Sequence, residues 1–201
     1  MSETGMNFSN PLRGLKKPGS VGLRLPHVEA RIINPETHED LTSGEVGEIW
    51  LKGTHVTQGY WKKPRETEAV FVNGWFRTGD LGKEDEDGYF YITDRLKHII
   101  ISGGENISPK EIESVINQHQ QVSESCVVGI PDGTWGEKVV AAVVLKPGAV
   151  LTKKEVQDYC KHHLLDWKCP KEIFFLVELP RNKMGKVMKE EVTKIFLNVK
   201  K

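Results

Sequence analysis

Asp94-Arg95-Leu96-Lys97-His98-Ile99-Ile100-Ile101-Ser102-Gly103-Gly104-Glu105-Asn106-Ile107-Ser108-Pro109-Lys110-Glu111 is the stretch in which this chain changes grammar. Ile99-Ile100-Ile101 reads as a short apolar strand, and Ser108-Pro109-Lys110-Glu111 as a capping box with proline at the first helical position. Ile112, Val115 and Ile116 then mark one helical face. Residues 126–130 and 139–145 are apolar enough for buried strands. Thr152-Lys153-Lys154-Glu155 is a second capping box, with Val156, Tyr159, Cys160 and Leu164 on the face that follows. A strand at 173–177 and an amphipathic helix marked by Val192, Ile195, Phe196 and Val199 complete the pattern. Such a run predicts a compact α+β domain, a short sheet flanked by helices.

Upstream, no helical repeat of comparable strength exists. Pro11, Pro18, Gly19, Gly22 and Pro26 break up the first stretch. Strands are predicted at 28–33, 48–52 and 89–93, with turns at Asn73-Gly74 and Asp87-Gly88 and a short helix near 66–71. The boundary falls beside Leu96-Lys97, giving a β-rich segment, 1–95, and an α+β domain, 96–201. The fold class is therefore α+β.

The 28 acidic and 28 basic side chains balance, so no global field favours nucleic acid or an anionic membrane. No apolar run approaches the roughly 20 residues that span a bilayer, and the N-terminus lacks a basic-then-apolar leader pattern. A soluble, cytoplasmic setting is expected. Cys126, Cys160 and Cys169 show no CxxC spacing and read as reduced, partly buried thiols. His162-His163 reads as a helix end with one ring packed and one solvated, and no set of Cys and His suggests a structural metal.

Five short motifs carry chemistry. Ser2-Glu3-Thr4 opens the chain. Trp75-Phe76-Arg77-Thr78-Gly79-Asp80 ends in a carboxylate after a strand-like segment, and Asp94-Arg95-Leu96-Lys97 places a guanidinium and a lysine at the boundary. Ser102-Gly103-Gly104-Glu105-Asn106 and Pro180-Arg181-Asn182-Lys183-Met184-Gly185-Lys186 follow. Each has a bland reading: a frayed terminus, a turn, a surface pair of Arg95 with Asp94, a basic loop. In this order and spacing they resemble the C-terminal portion of the adenylate-forming superfamily of acyl-CoA synthetases, luciferases and nonribosomal-peptide adenylation enzymes.

The resemblance implies an acid–thiol ligase that joins a small-molecule carboxylate to CoA at the expense of ATP, through an acyl-AMP intermediate. It places Glu3 and Thr4 beside the ATP phosphates, with Glu3 holding Mg²⁺, a hard cation suited to carboxylate oxygen. Asp80 and Arg95 meet the ribose, since a carboxylate can accept from both hydroxyls of a vicinal diol, and Ile92 packs near the nucleotide. Lys97 is the hinge on which the small domain reorients between half-reactions. Gly103 and Gly104 line the path of the pantetheine arm, against which Trp135 packs; Lys168 and Lys171 are weaker candidates for CoA phosphates. Lys186 enters the site for adenylation, its ammonium set against charge on the α-phosphate. Ser9-Asn10-Pro11-Leu12-Arg13-Gly14, the stretch to Pro26 and the Lys186 loop look most like malonyl-CoA synthetases, with fatty and aryl acids left open.

The chain departs from the superfamily in lacking a Ser/Thr/Gly-rich phosphate loop and the large acyl-binding N-terminal domain. Gly185-Lys186 supplies no such loop, because Pro180 and Val187 stand where glycine and Ser/Thr belong. The expectation is a truncated enzyme, inactive by itself. Two alternatives are a stand-alone module binding CoA or a partner, and an adenylation domain serving a carrier protein.

Overall fold

The computed structural model describes residues 1–198 and divides into two compact units, Met1–Lys97 and a second from His98 onward. In the first unit, β1 (Phe8–Ser9), β2 (Gly22–Arg24), β3 (Glu29–Ile33) and β4 (Gly47–Lys52) precede a helix, α1 (Pro64–Val70). β5 (Phe71–Val72), β6 (Trp75–Glu84) and β7 (Tyr89–Arg95) follow. The strands form one antiparallel sheet in the order β1-β2-β7-β6-β4-β3, with β5 paired to the start of β6. Asn73 and Gly74, both at positive φ, make the tight turn between β5 and β6, the geometry that suits right-twisted strands.

Alternation along β4 explains why this half of the sequence lacks a simple pattern. Ile49 and Leu51 face a core with Val28, Ile32 and Phe90, while Trp50 faces Ile33 and Trp75 on the opposite side. Both faces are covered, so β4 is a continuous buried run rather than an alternating one. Phe8 stacks on Phe90 at 4.4 Å between centroids, tying the irregular N-terminal stretch to the sheet.

A short 3₁₀ turn at Leu96–His98 leads into the second unit. There β8 (Ile100–Ser102) and β9 (Glu105–Ile107) form a hairpin, followed by α2 (Pro109–Asn117) and a long hairpin of β10 (Val122–Asp132) and β11 (Gly136–Leu145). Next come α3 (Lys153–His163), β12 (Glu172–Leu176), which pairs parallel to β11, and α4 (Lys189–Asn198). Val127, Ala141 and Val143 face Ile112 and Ile116 of α2 and Val156 and Cys160 of α3. Cys126, Val128, Val140 and Ala142 face Val192 and Phe196 of α4. A sheet with helices on both faces results, each fully buried aliphatic or Phe side chain contributing about 1.5–3 kcal/mol. Val199, expected on the face of the last helix, lies outside the described residues.

Both predicted helix starts carry caps. Ser108 Oγ accepts from the Glu111 amide at 3.3 Å. Thr152 and Glu155 form a complete capping box, with bonds of 3.2 and 2.8 Å. The three cysteines are free and buried; burial pushes the Cys160 thiol up to about 12 and that of Cys126 to about 11. His162 is exposed, and His163, also exposed, stacks on Tyr159 at 4.4 Å. No helix among the described residues is long and apolar enough to cross a membrane.

Candidate functional site

Asp80 and Arg95 sit opposite each other in the β6–β7 register. The Arg95 guanidinium meets the Asp80 carboxylate at 2.6 Å, so its partner is Asp80 and not Asp94 as the bland reading had it. Asp94 is buried and accepts from the Arg95 amide at 2.7 Å, which anchors the end of β7. Ile92 lies against the apolar core that includes Phe90. Asp80 belongs to an outward excursion of β6: Glu48 faces Leu81 and Trp50 faces Arg77, so β6 advances four residues while β4 advances two. Gly79 adopts φ +67° in this bulge, a left-handed conformation that glycine takes without strain.

Glu3 and Thr4 occupy a loop pinned from two directions. Tyr60 donates its phenol to Glu3 Oε1 at 3.2 Å, and the Glu3 carbonyl accepts from the Thr57 amide at 2.8 Å. Burial, and then the Glu3 charge, raise the Tyr60 pKa, which keeps the phenol protonated as a donor. Thr4 is buried; its hydroxyl accepts from Asn7, whose Oδ1 contacts His55 Nε2 at 3.1 Å. Burial, with His27 nearby, lowers the His55 pKa and favours the neutral ring.

In the second unit Gly103 and Gly104, both at positive φ, form the two-residue turn of the β8–β9 hairpin. The Gly103 amide donates to the Trp135 carbonyl at 2.9 Å, and a Cβ on Gly103 would meet the Trp135 ring at 2.9 Å. The ring thus lies against bare backbone while remaining 56% exposed. Lys168 pairs with Glu111 at 2.8 Å and Lys171 donates to the Asp166 carbonyl at 3.3 Å.

Lys186 is exposed on a tight loop closed by the Arg181–Val187 bridge. Asn182 organises it: its side-chain oxygen accepts from the amides of Met184 and Lys186 at 2.9 and 3.0 Å, and its own amide donates to the Lys186 carbonyl at 2.9 Å. Arg181 ties the loop to Glu124 on β10 and to the Gly185 carbonyl. Lys97, also exposed, lies within the 3₁₀ turn at the junction of the two units.

Two family models match the chain, the AMP-binding enzyme over residues 1–61 and the AMP-binding enzyme C-terminal domain over residues 111–186. A long-chain-fatty-acid–CoA ligase from Bacillus subtilis is 44% identical over 187 residues, 93% of this chain and 33% of that enzyme. The crystal structure of ATP-bound MatB from Rhodopseudomonas palustris superposes with a TM-score of 0.95 at 44% identity, covering 100% of this chain and 40% of that one. This chain belongs to the AMP-binding enzyme family. The o-succinylbenzoate CoA synthetase MenE from Bacillus subtilis, solved with its acyl-adenylate, gives a TM-score of 0.79 at 40% identity over 87% of this chain. The chain spans about a third to two-fifths of the length of these relatives.

Within the AMP-binding family frame, the structure brings Asp80 next to Arg95 and sets Gly103 against Trp135, while Glu3 and Thr4 are already neighbours in sequence. Sequence reading missed Tyr60, Asn7 and Asn182, the residues that hold these groups. Asn182 had a legible signal: an Asn two residues before Met184 and four before Lys186, spacing at which an Asn side chain accepts from following amides. Tyr60 and Glu3 are 57 positions apart, and no local pattern joins them.

Proposed function

We propose that this chain contributes the C-terminal part of an ATP-dependent acyl-CoA ligase. A carboxylate oxygen attacks the α-phosphorus of ATP and pyrophosphate departs, leaving acyl-AMP. The CoA thiolate then attacks the acyl carbonyl, and AMP leaves with the electron pair of the broken C–O bond. The observation that carries this reading is the Asp80–Arg95 pair, a carboxylate aimed by a guanidinium on adjacent strands, in a chain whose two ends both match AMP-binding enzymes.

In this reading Asp80 accepts from the ribose hydroxyls, Arg95 orients that carboxylate, and Ile92 supports the strand beneath the nucleotide. Glu3 faces the phosphates, and Thr4, buried and bonded to Asn7, holds that loop in place. Glu3 would hold Mg²⁺, a hard cation suited to carboxylate oxygen, whose charge would offset that of the phosphates. Lys186 supplies the cation for the α-phosphate, Lys97 is the hinge, and Gly103, Gly104 and Trp135 border the pantetheine path. The proposed acyl group is malonate, on the likeness of the stretch from Ser9 to Pro26 and of the Lys186 loop to malonyl-CoA synthetases, with a fatty acid as the competing substrate class.

Lys186→Ala in the intact enzyme tests the assignment. Adenylation, followed by pyrophosphate exchange, is expected to fall by about a hundredfold or more. Thioester formation from supplied acyl-AMP stays within about threefold, because the lysine has no part in the second step. Equal loss in both half-reactions refutes the role.

A further inference from the structure

The bulge that carries Asp80 poses a problem of unsatisfied backbone. Where β6 advances four residues against two on β4, the ladder leaves amides without partners. Side chains fill the gap. Gly79 donates its amide to Glu48 Oε1 at 3.0 Å, and Asp80 donates its amide to Thr78 Oγ at 3.0 Å. The Thr78 hydroxyl in turn donates to the Ile49 carbonyl at 2.6 Å. Glu48 Oε2 accepts from Trp50 Nε1 at 2.9 Å and from Arg77 Nε at 3.2 Å. Glu48 is 1% exposed, and a buried carboxylate is tolerated only where donors surround it.

We infer that Glu48 is a positioning residue for nucleotide binding: it touches no substrate, and fixes Asp80 through Gly79. The inference rests on the ribose role of Asp80. Glutamate rather than glutamine is required by donor arithmetic. Oε2 meets two donors and Oε1 a third. Glutamine can satisfy Trp50 and Arg77 with its single oxygen only by turning its NH₂ toward the Gly79 amide, donor against donor. Glu48→Gln therefore releases the Asp80 bulge, and removes the charge facing Arg77, while keeping the fold's volume and packing.

The experiment compares Glu48→Gln, Thr78→Val and Asp80→Ala in the intact enzyme, measuring KM and kcat for ATP and for 2′-deoxyATP in the adenylation step. Wild type is expected to prefer ATP, and Asp80→Ala to erase the preference. Glu48→Gln is expected to raise KM for ATP about tenfold and to shrink the ATP/2′-deoxyATP preference, with kcat within about threefold. Deuterium uptake in the peptide covering residues 76–81 rises in the same variant. Should Glu48→Gln fail to fold, Thr78→Val decides, since it removes the other half of the same scaffold and predicts the same shift. An Asp80→Ala enzyme that keeps its preference refutes the ribose reading itself. An Asp80→Ala enzyme that loses it, beside Glu48→Gln and Thr78→Val enzymes that keep both KM and preference, overturns the role of Glu48 alone. So does a loss of kcat in Glu48→Gln with the preference intact.

Discussion

The two units solve the same problem, holding a candidate group in place, by opposite means. In Met1–Lys97 the candidate groups lie on or beside a sheet whose irregularities are filled by polar side chains: Glu48 and Thr78 under the Asp80 bulge, Tyr60 against Glu3. In the second unit the sheet is apolar on both faces, with a register shift between Val122 and Glu124 of β10, and the candidate groups ride on loops at its margins. Precision comes from part-buried hydrogen bonds in the first case and from a rigid platform in the second. Core substitutions should therefore be felt mainly as stability in the second unit, and polar substitutions as lost site geometry in the first.

The strongest blow to that contrast comes from Phe196. It is fully buried and packs edge-to-face on Phe174 at 4.6 Å. Phe196→Ala is expected to cost the second unit about 3–5 kcal/mol, lowering one calorimetric transition and leaving that of Met1–Lys97 unmoved. A uniform shift of all unfolding would show that the units do not respond separately. Thr152→Ala removes the capping box of α3 and should cost about 1 kcal/mol, read by urea denaturation followed by circular dichroism. No change would mean that the helix is held by packing alone.

The smallest effect sharpens the contrast from the other side. Lys17 bridges Asp85 at 2.6 Å and Asp87 at 2.5 Å, linking the irregular N-terminal stretch to the turn after β6. Lys17, then hydrogen bonds from the Tyr89 amide and the Tyr91 phenol, hold Asp85 down from 3.8 to about 2. A depressed carboxylate stabilises the fold above its unfolded pKa, so this contribution is present above about pH 4 and is lost as pH falls toward 2. Lys17→Met should flatten the acid limb of the first unit's stability–pH curve. An identical limb in both proteins would show that solvent screening has removed the effect.

The same contrast explains what could be read from the sequence. Capping boxes and the 3.6-residue spacing of Ile112, Val115 and Ile116 are local signals, and α2 and α3 stand where they point. The hairpin strand Glu105–Ile107 escaped notice because Glu105 and Asn106 are exposed and only Ile107 is buried, although Gly103-Gly104 is a turn signal. β10 runs well beyond 126–130 because its partner β11 continues pairing past the apolar stretch. In the first unit β4 stands where a strand is predicted at 48–52, although burial on both faces removes the alternation that usually marks one. Asp80 and Arg95 were legible as residue types; Glu48, 31 positions from Gly79, was not, because the bulge uniting them is a property of strand pairing.

Asn182 has a thermodynamic consequence for Lys186. Its bonds to Met184, Gly185 and Lys186 fix the loop backbone when the domain folds. Whatever anion the ammonium meets, the encounter has only the side chain left to freeze, about 2 kcal/mol of rotamer entropy instead of a further 1–2 kcal/mol for each loop residue. The loop thus behaves as a preformed lever, and its reach is set by one flexible side chain.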